Sequence, residues 1–242
     1  MRELHADHKL PDGKVVPGLS WRSLQHATTT LRQLLRFCKR LGAIAAVPEL
    51  RPPSNRLAAK EAAPRRALSE QERDKVLAAL RNAGDERAAR IWTAMAYSGL
   101  RRGELGKLTL RWLDAGAGAI RIPATAAKSG EEELVPLHPK ARQAIRAEAA
   151  EKGIKPKNLD VPVFGGFDIR KAWKRALTAA KVDTHGLTAH HSARHTFGTL
   201  LAQRAHGDVT AVQAGGRWRS LAMVQRYVHA DVARARAAMK RL

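Results

Sequence analysis

His191-Ser192-Ala193-Arg194-His195-Thr196-Phe197 is the most informative stretch of this 242-residue chain. Read as a helix, it puts His191 and Arg194, three residues apart, on one face. Ala193, Phe197 and Leu200 fall on the opposite face. One side is suited to packing, and the other can bring an imidazole and a guanidinium to a shared ligand. The helix is predicted over roughly His190–Arg204. Shorter helical pieces follow at Asp208–Ala214 and from Ser220 to the C-terminus, with Gly215–Gly216 between them. Upstream, Ser69 and Glu72 form a capping-box pattern that opens a helix through about Arg81. Ala88, Ile91, Trp92 and Met95 follow i, i+3, i+4, i+7 spacing, and that helix stops at Gly99. Ala119–Ile122 and Glu133–Leu137 are β-prone segments around a Lys-Ser-Gly turn at 128–130, which predicts a hairpin or a three-stranded sheet. Pro139 starts a helix that Gly153 ends, and Ile169, Ala172, Trp173, Ala176 and Leu177 mark another. The fold class is mainly α with a small antiparallel β-sheet (α+β).

The N-terminal quarter reads differently. Residues 1–19 carry Pro and Gly without periodicity and read as an irregular arm. From Ser20, a potential N-cap, to Leu41 the pattern is helical, with Leu31, Leu34, Leu35 and Cys38 on one stripe. Pro48–Pro64 holds four prolines and five charges, the mark of a linker. The expected organisation is an arm plus one long helix over 1–53, a linker over 54–65 and a main domain over 66–242.

Lys plus Arg is 44 against 22 for Asp plus Glu, a formal charge of +22. A globular domain this basic usually faces a polyanion, most commonly nucleic acid. One cysteine, Cys38, excludes an internal disulfide framework and a multi-cysteine zinc module. The longest stretches free of charged residues, Ile91–Leu100 and Thr184–Ala193, are ten residues each. A membrane span needs about 20, so none is expected. The N-terminus lacks the apolar core of a secretory signal. The chain therefore reads as soluble, intracellular and bound to nucleic acid.

Three further segments could carry chemistry. In Gly99-Leu100-Arg101-Arg102-Gly103-Glu104-Leu105 a helix stops, turns and restarts, and an Arg at that junction can aim its fork at a phosphate. Alone, Arg101 reads as a surface arginine of an Arg-rich protein. Lys128, at the hairpin turn, reads as a solvated lysine when taken alone. Tyr227 fits either a half-buried core residue or a phenolic nucleophile, whose pKa of about 10 means it needs help to lose its proton. A metal pair at His191 and His195 is disfavoured, because Ser192 stands where a catalytic zinc helix carries Glu and no third ligand is evident.

The three boxes together resemble the tyrosine recombinases, the phage integrase family. Gly-Leu-Arg-Arg-Gly-Glu-Leu at 99–105, continued through Leu108, Trp112 and Asp114, resembles that family's first arginine box. His191 and Arg194 with His195-Thr196-Phe197 resemble its second. Gly216-Arg217-Trp218-Arg219-Ser220-Leu221 through Tyr227 is similar to the last, in which a His or Trp sits nine residues before the nucleophilic tyrosine, as Trp218 does here. The match covers Arg66 to the C-terminus, the family's catalytic domain. It reaches back to Thr28–Pro53, which resembles the final helix of the core-binding domain. The first 19 residues are not expected to hold the earlier helices of that domain. Two departures stand out: Ser192-Ala193 replaces a frequent Asp-Leu, and Ser-Gly-Glu-Glu-Glu follows Lys128 in place of a basic run.

The resemblance implies a site-specific recombinase that cuts and rejoins double-stranded DNA through a 3′-phosphotyrosyl intermediate. Tyr227 would be the nucleophile, and Arg101 and Arg194 the phosphate clamps. Trp218 would be a donor or buttress, Lys128 the acid for the leaving 5′ oxygen, and His191 a proton acceptor or donor. No cofactor, metal or ATP is expected. A homotetramer on DNA is expected, in the cytoplasm of a bacterium or from a phage, associated with the nucleoid. Type IB topoisomerase-like relaxation and a non-recombining DNA-binding regulator are the alternatives.

Overall fold

The computed structural model describes residues 7–11, 15–16, 18–51, 66–206 and 208–228. The chain divides into two compact units, Met1–Pro64 and Arg65–Leu242. In the first unit, β1 (His8–Lys9) pairs antiparallel with β2 (Val15–Val16), His8 opposite Val16. This ladder replaces the irregular arm that the sequence predicts; two-residue strands are too short to show alternation, so they leave no periodic signal. Helix α1 (Trp21–Arg40) starts as expected at Ser20, whose hydroxyl accepts from the Ser23 N–H at 3.1 Å. Leu24 is buried, while Leu31, Leu34 and Phe37 stay exposed. The expected linker, 54–65, lies outside the described residues.

In the second unit the core gathers around Trp92, fully buried on α3 (Glu86–Ser98). Its ring stacks on Trp173 of α6 (Arg170–Ala179) at 5.1 Å, and its indole N–H donates to the Ala189 carbonyl at 3.1 Å. That bond fixes the start of α7 (Ala189–Arg204), the helix that carries His191 and Arg194. Helix α2 (Glu70–Asn82) opens with the capping box read from sequence, Ser69 and Glu72 each bonding the other's backbone. Gly99 ends α3 in the left-handed region at φ +64°, and α4 (Arg102–Lys107) restarts at once. The sheet is three-stranded and antiparallel, in the order β3 (Leu113–Asp114), β4 (Ala119–Ile122), β5 (Glu133–Pro136). Ile120 faces Val135 across β4 and β5, and both are fully buried. Helix α5 (Pro139–Glu151) packs on α3, as α7 does.

Two local expectations change. Gly215 and Gly216 do not separate two helices; they are the last residues of α8 (Val209–Gly216). They are small because neighbours sit where a side chain would be: a Cβ on Gly216 would lie 1.8 Å from the Trp218 ring, and one on Gly215 2.9 Å from Leu201. Nor does Tyr227 ride a long final helix. Helix α9 is only Leu221–Val224, and Tyr227 lies in the turn after it, its N–H bonded to the Val224 carbonyl at 2.8 Å. The expected continuation over 229–242 lies outside the described residues.

Candidate active site

Arg101 is the N-cap of α4, and Glu104 holds it there. One Glu104 oxygen accepts from the Arg101 backbone N–H at 2.9 Å, and the other pairs with its guanidinium. Glu104 is only 3% exposed, and Arg217 also donates to it, at 2.6 Å. Burial alone would raise the Glu104 pKa. The Arg217 and Arg101 bonds outweigh it and hold the carboxyl below its ordinary range. Arg101 keeps its outer side open, with about a third of its side chain in solvent (30%).

Arg194, on α7, joins the ends of two helices. Its guanidinium donates to the Gly99 carbonyl at the end of α3 and, at 2.9 Å, to the Gly216 carbonyl at the end of α8. The same group lies 5.5 Å from the centre of the Trp218 ring. Burial, with Arg101 and Arg217 as neighbouring cations, pulls the Arg194 pKa down to about 10. It is still protonated at neutral pH, and its positive charge is poorly compensated. An anion placed beside it would relieve that imbalance.

Tyr227 packs beside it. Its ring stacks on buried Trp218 at 4.6 Å and lies 5.4 Å from the His195 ring, which in turn is 6.2 Å from that of His191. The floor under Tyr227 is Gly198 of α7, where an added Cβ would come within 2.7 Å of the phenol ring. The fold therefore gathers Arg101, His191, Arg194, Trp218 and Tyr227 around one locus. Lys128 stands apart, exposed in the β4–β5 turn. That turn is tied to the Trp218 segment through Arg219, which donates to the Ser129 carbonyl at 3.2 Å.

Sequence reasoning missed Glu104, Arg217, His195 and Gly198. Glu104 was legible as the third residue after an N-cap, the capping-box position. His195 follows His191 by four residues, one helical turn; it was read as a metal-ligand candidate and as part of the second box, without a role of its own. Arg217 stood within the last box without a role of its own, and Gly198 gave no sequence signal. Among the described residues there is no group of three or more His, Cys, Asp or Glu side chains placed to hold a metal ion.

Comparison with known proteins identifies the family. The phage integrase family profile matches residues 66–234, and the chain belongs to that family. Tyrosine recombinase XerC from Pseudomonas aeruginosa (strain LESB58) is 30% identical over 230 residues, covering 88% of this chain and 70% of that protein. Among solved structures, the Tn1549 transposon integrase in complex with transposon right end DNA superimposes with a TM-score of 0.68 at 20% identity, over 93% of this chain and 80% of that one. XerA recombinase gives a TM-score of 0.54 at 23% identity, over 91% and 76%. The mainly helical fold with its small antiparallel sheet is the fold these structures share.

Proposed function

We propose that this chain is a site-specific DNA recombinase that cuts and rejoins duplex DNA through a 3′-phosphotyrosyl intermediate. The observation that carries the reading is Tyr227 packed against Trp218 and His195, beside Arg194 in its poorly compensated cationic pocket. In the proposed reaction the Tyr227 oxygen attacks phosphorus, the P–O5′ bond breaks, and the phosphate stays esterified to Tyr227. His191 handles the tyrosine proton, and Lys128 protonates the departing 5′ oxygen. Arg101 and Arg194 hold the non-bridging oxygens, where charge accumulates in the transition state, with Trp218 as buttress or donor. The ester conserves the energy of the broken bond, so a 5′-hydroxyl from another strand can reverse the step. Rejoining therefore needs no ATP, and in this scheme Arg101 and Arg194 supply the charge stabilisation that a metal would otherwise give.

On this reading 66–242 is the catalytic domain, 54–65 a linker, and the helix within 1–53 part of a core-binding domain. A homotetramer on DNA supplies one nucleophile for each of the four strands exchanged. The reaction belongs in the cytoplasm, at the nucleoid. No described helix is long and apolar enough to cross a membrane.

The test uses a nicked duplex carrying the cognate site, from which the short 5′-hydroxyl fragment diffuses away. Tyrosine cleavage then leaves protein joined to DNA, seen as a shifted band on a denaturing gel. Relaxation of supercoiled DNA without site preference would move the assignment to topoisomerase chemistry, and specific binding without an adduct to a regulator.

Two further outcomes are expected. Duplex affinity should fall with salt by about 0.9 log units per log salt for each phosphate contacted, in line with the +22 charge. A flat salt titration would contradict DNA as the partner. Gly198→Ala should leave helix α7 folded, since Ala is favoured over Gly in a helix by roughly 0.5–1 kcal/mol. The added methyl must nevertheless displace the Tyr227 ring from its seat. Adduct formation is expected to drop at least about tenfold, since small misplacements of a reacting group cost up to roughly 10²-fold. Wild-type rates in that variant would show that the seat is irrelevant.

A further inference from the structure

Arg217 has a backbone conformation that does not suit its residue type. It closes α8 at φ +53°, in the left-handed region where glycine is the natural occupant. Its side chain is nonetheless only 6% exposed and reaches two carboxylates, Glu104 at 2.6 Å and Glu133 of β5. Glycine would make this turn with less strain, so the side chain is what distinguishes an arginine here.

Glu104 is the acid that also holds Arg101 by both its backbone N–H and its guanidinium. On the other side, Arg217 stands between Gly216, whose carbonyl receives Arg194, and Trp218, which stacks on Tyr227. One buried side chain thus links the segment of the first box, the segment of the last box and the strand leaving the Lys128 turn.

We propose that Arg217 is a positioning residue for DNA cleavage: it shares the charge of Glu104, leaving Arg101 donors for the phosphate, and fixes the Gly216–Trp218 segment against which Arg194 and Tyr227 are set. The role rests on the phosphotyrosyl reading above. Without Arg217, the buried Glu104 carboxylate has Arg101 as its remaining guanidinium partner. The clamp would then be drawn inward, away from the scissile phosphate.

Arg217→Gly separates side chain from backbone, because it keeps the turn and deletes the charge. At saturating protein on the nicked duplex, adduct formation should slow by roughly 10–100-fold. Duplex Kd should stay within about threefold, since the groups that meet DNA are still present. Adding Glu104→Gln to Arg217→Gly should recover at least about fivefold of the rate, because the two residues act as one coupled unit and the uncompensated carboxylate is gone.

Arg217→Gly cleaving within about twofold of wild type would overturn the role. So would rate and Kd falling together with no recovery in the double variant, the pattern of simple structural damage. If Arg217→Gly does not yield folded protein, Arg217→Lys takes its place. It keeps the charge but not the fork that spans two acids, so a slowed rate at unchanged Kd is expected and an unchanged rate would overturn the role. If wild type itself gives no adduct, the reaction falls and the role with it. A wild-type adduct with an unaffected Arg217 variant refutes only this inference.

Discussion

Tyr227→Phe protein is expected to fold, to bind duplex DNA as wild type does, and to form no covalent adduct. The substitution removes one oxygen and almost no volume. The ring contacts with Trp218 at 4.6 Å and His195 at 5.4 Å remain available to phenylalanine, and Gly198 still leaves room for the ring. Any hydrogen bond the hydroxyl makes contributes about 1 kcal/mol to stability, too little to unfold the domain. Binding and chemistry should therefore separate cleanly: unchanged Kd and near-wild-type melting, with no shifted band on a denaturing gel. Identical cleavage products from wild type and Tyr227→Phe would place the nucleophile elsewhere.

Arg194→Ala is expected to lose adduct formation through the transition state. Removing one well-placed donor to a developing oxyanion costs roughly 10²–10³ in rate in other enzymes. Two structural effects of this change oppose each other. The variant relieves a charge disfavoured by burial and by the neighbouring cations Arg101 and Arg217, which together lower its pKa to about 10. It also strands the Gly99 and Gly216 carbonyls, at about 1–3 kcal/mol for each that stays buried and unpaired. The melting temperature should therefore move less than the loss of rate would suggest. Arg194→Lys should not restore full activity, because a single ammonium cannot span both carbonyls and a phosphate as a planar fork can. Adduct formation by Arg194→Ala at the wild-type rate would remove this residue from the clamp.

The features legible in the sequence share a physical property: each was decided by neighbours within about one helical turn. Ser69 and Glu72, Gly99 after α3, and Pro139 at the start of α5 act through local backbone geometry, and each appears where it was read. The candidate site was legible in a different way, through the order and spacing of three boxes. No single box was sufficient, since Arg101 and Tyr227 each had an ordinary reading.

What stayed hidden depends on the third dimension. The β1–β2 ladder is two residues per strand, too short for alternation to register. The turn placing Tyr227 after Val224 follows from docking on Trp218 and Gly198, residues nine and twenty-nine positions upstream. Gly215–Gly216 resembles a break in sequence but serves close packing against Leu201 and Trp218. Arg217 was the least legible, because neither its positive φ nor its pairing with Glu104, 113 residues away, follows from residue type.

The chain has only two tyrosines, Tyr97 and Tyr227, and they lie in different surroundings, since Tyr97 packs against Arg73, His138 and Lys140. This makes direct mapping of the covalent link decisive. The protein trapped on the nicked duplex is digested with nuclease and trypsin and analysed by tandem mass spectrometry. The residual nucleotide phosphate is expected on the tryptic peptide Tyr227–Arg234, at the tyrosine itself. A phosphate on Tyr97, on a serine, or on no residue at all while DNA is cut would contradict Tyr227 as the nucleophile.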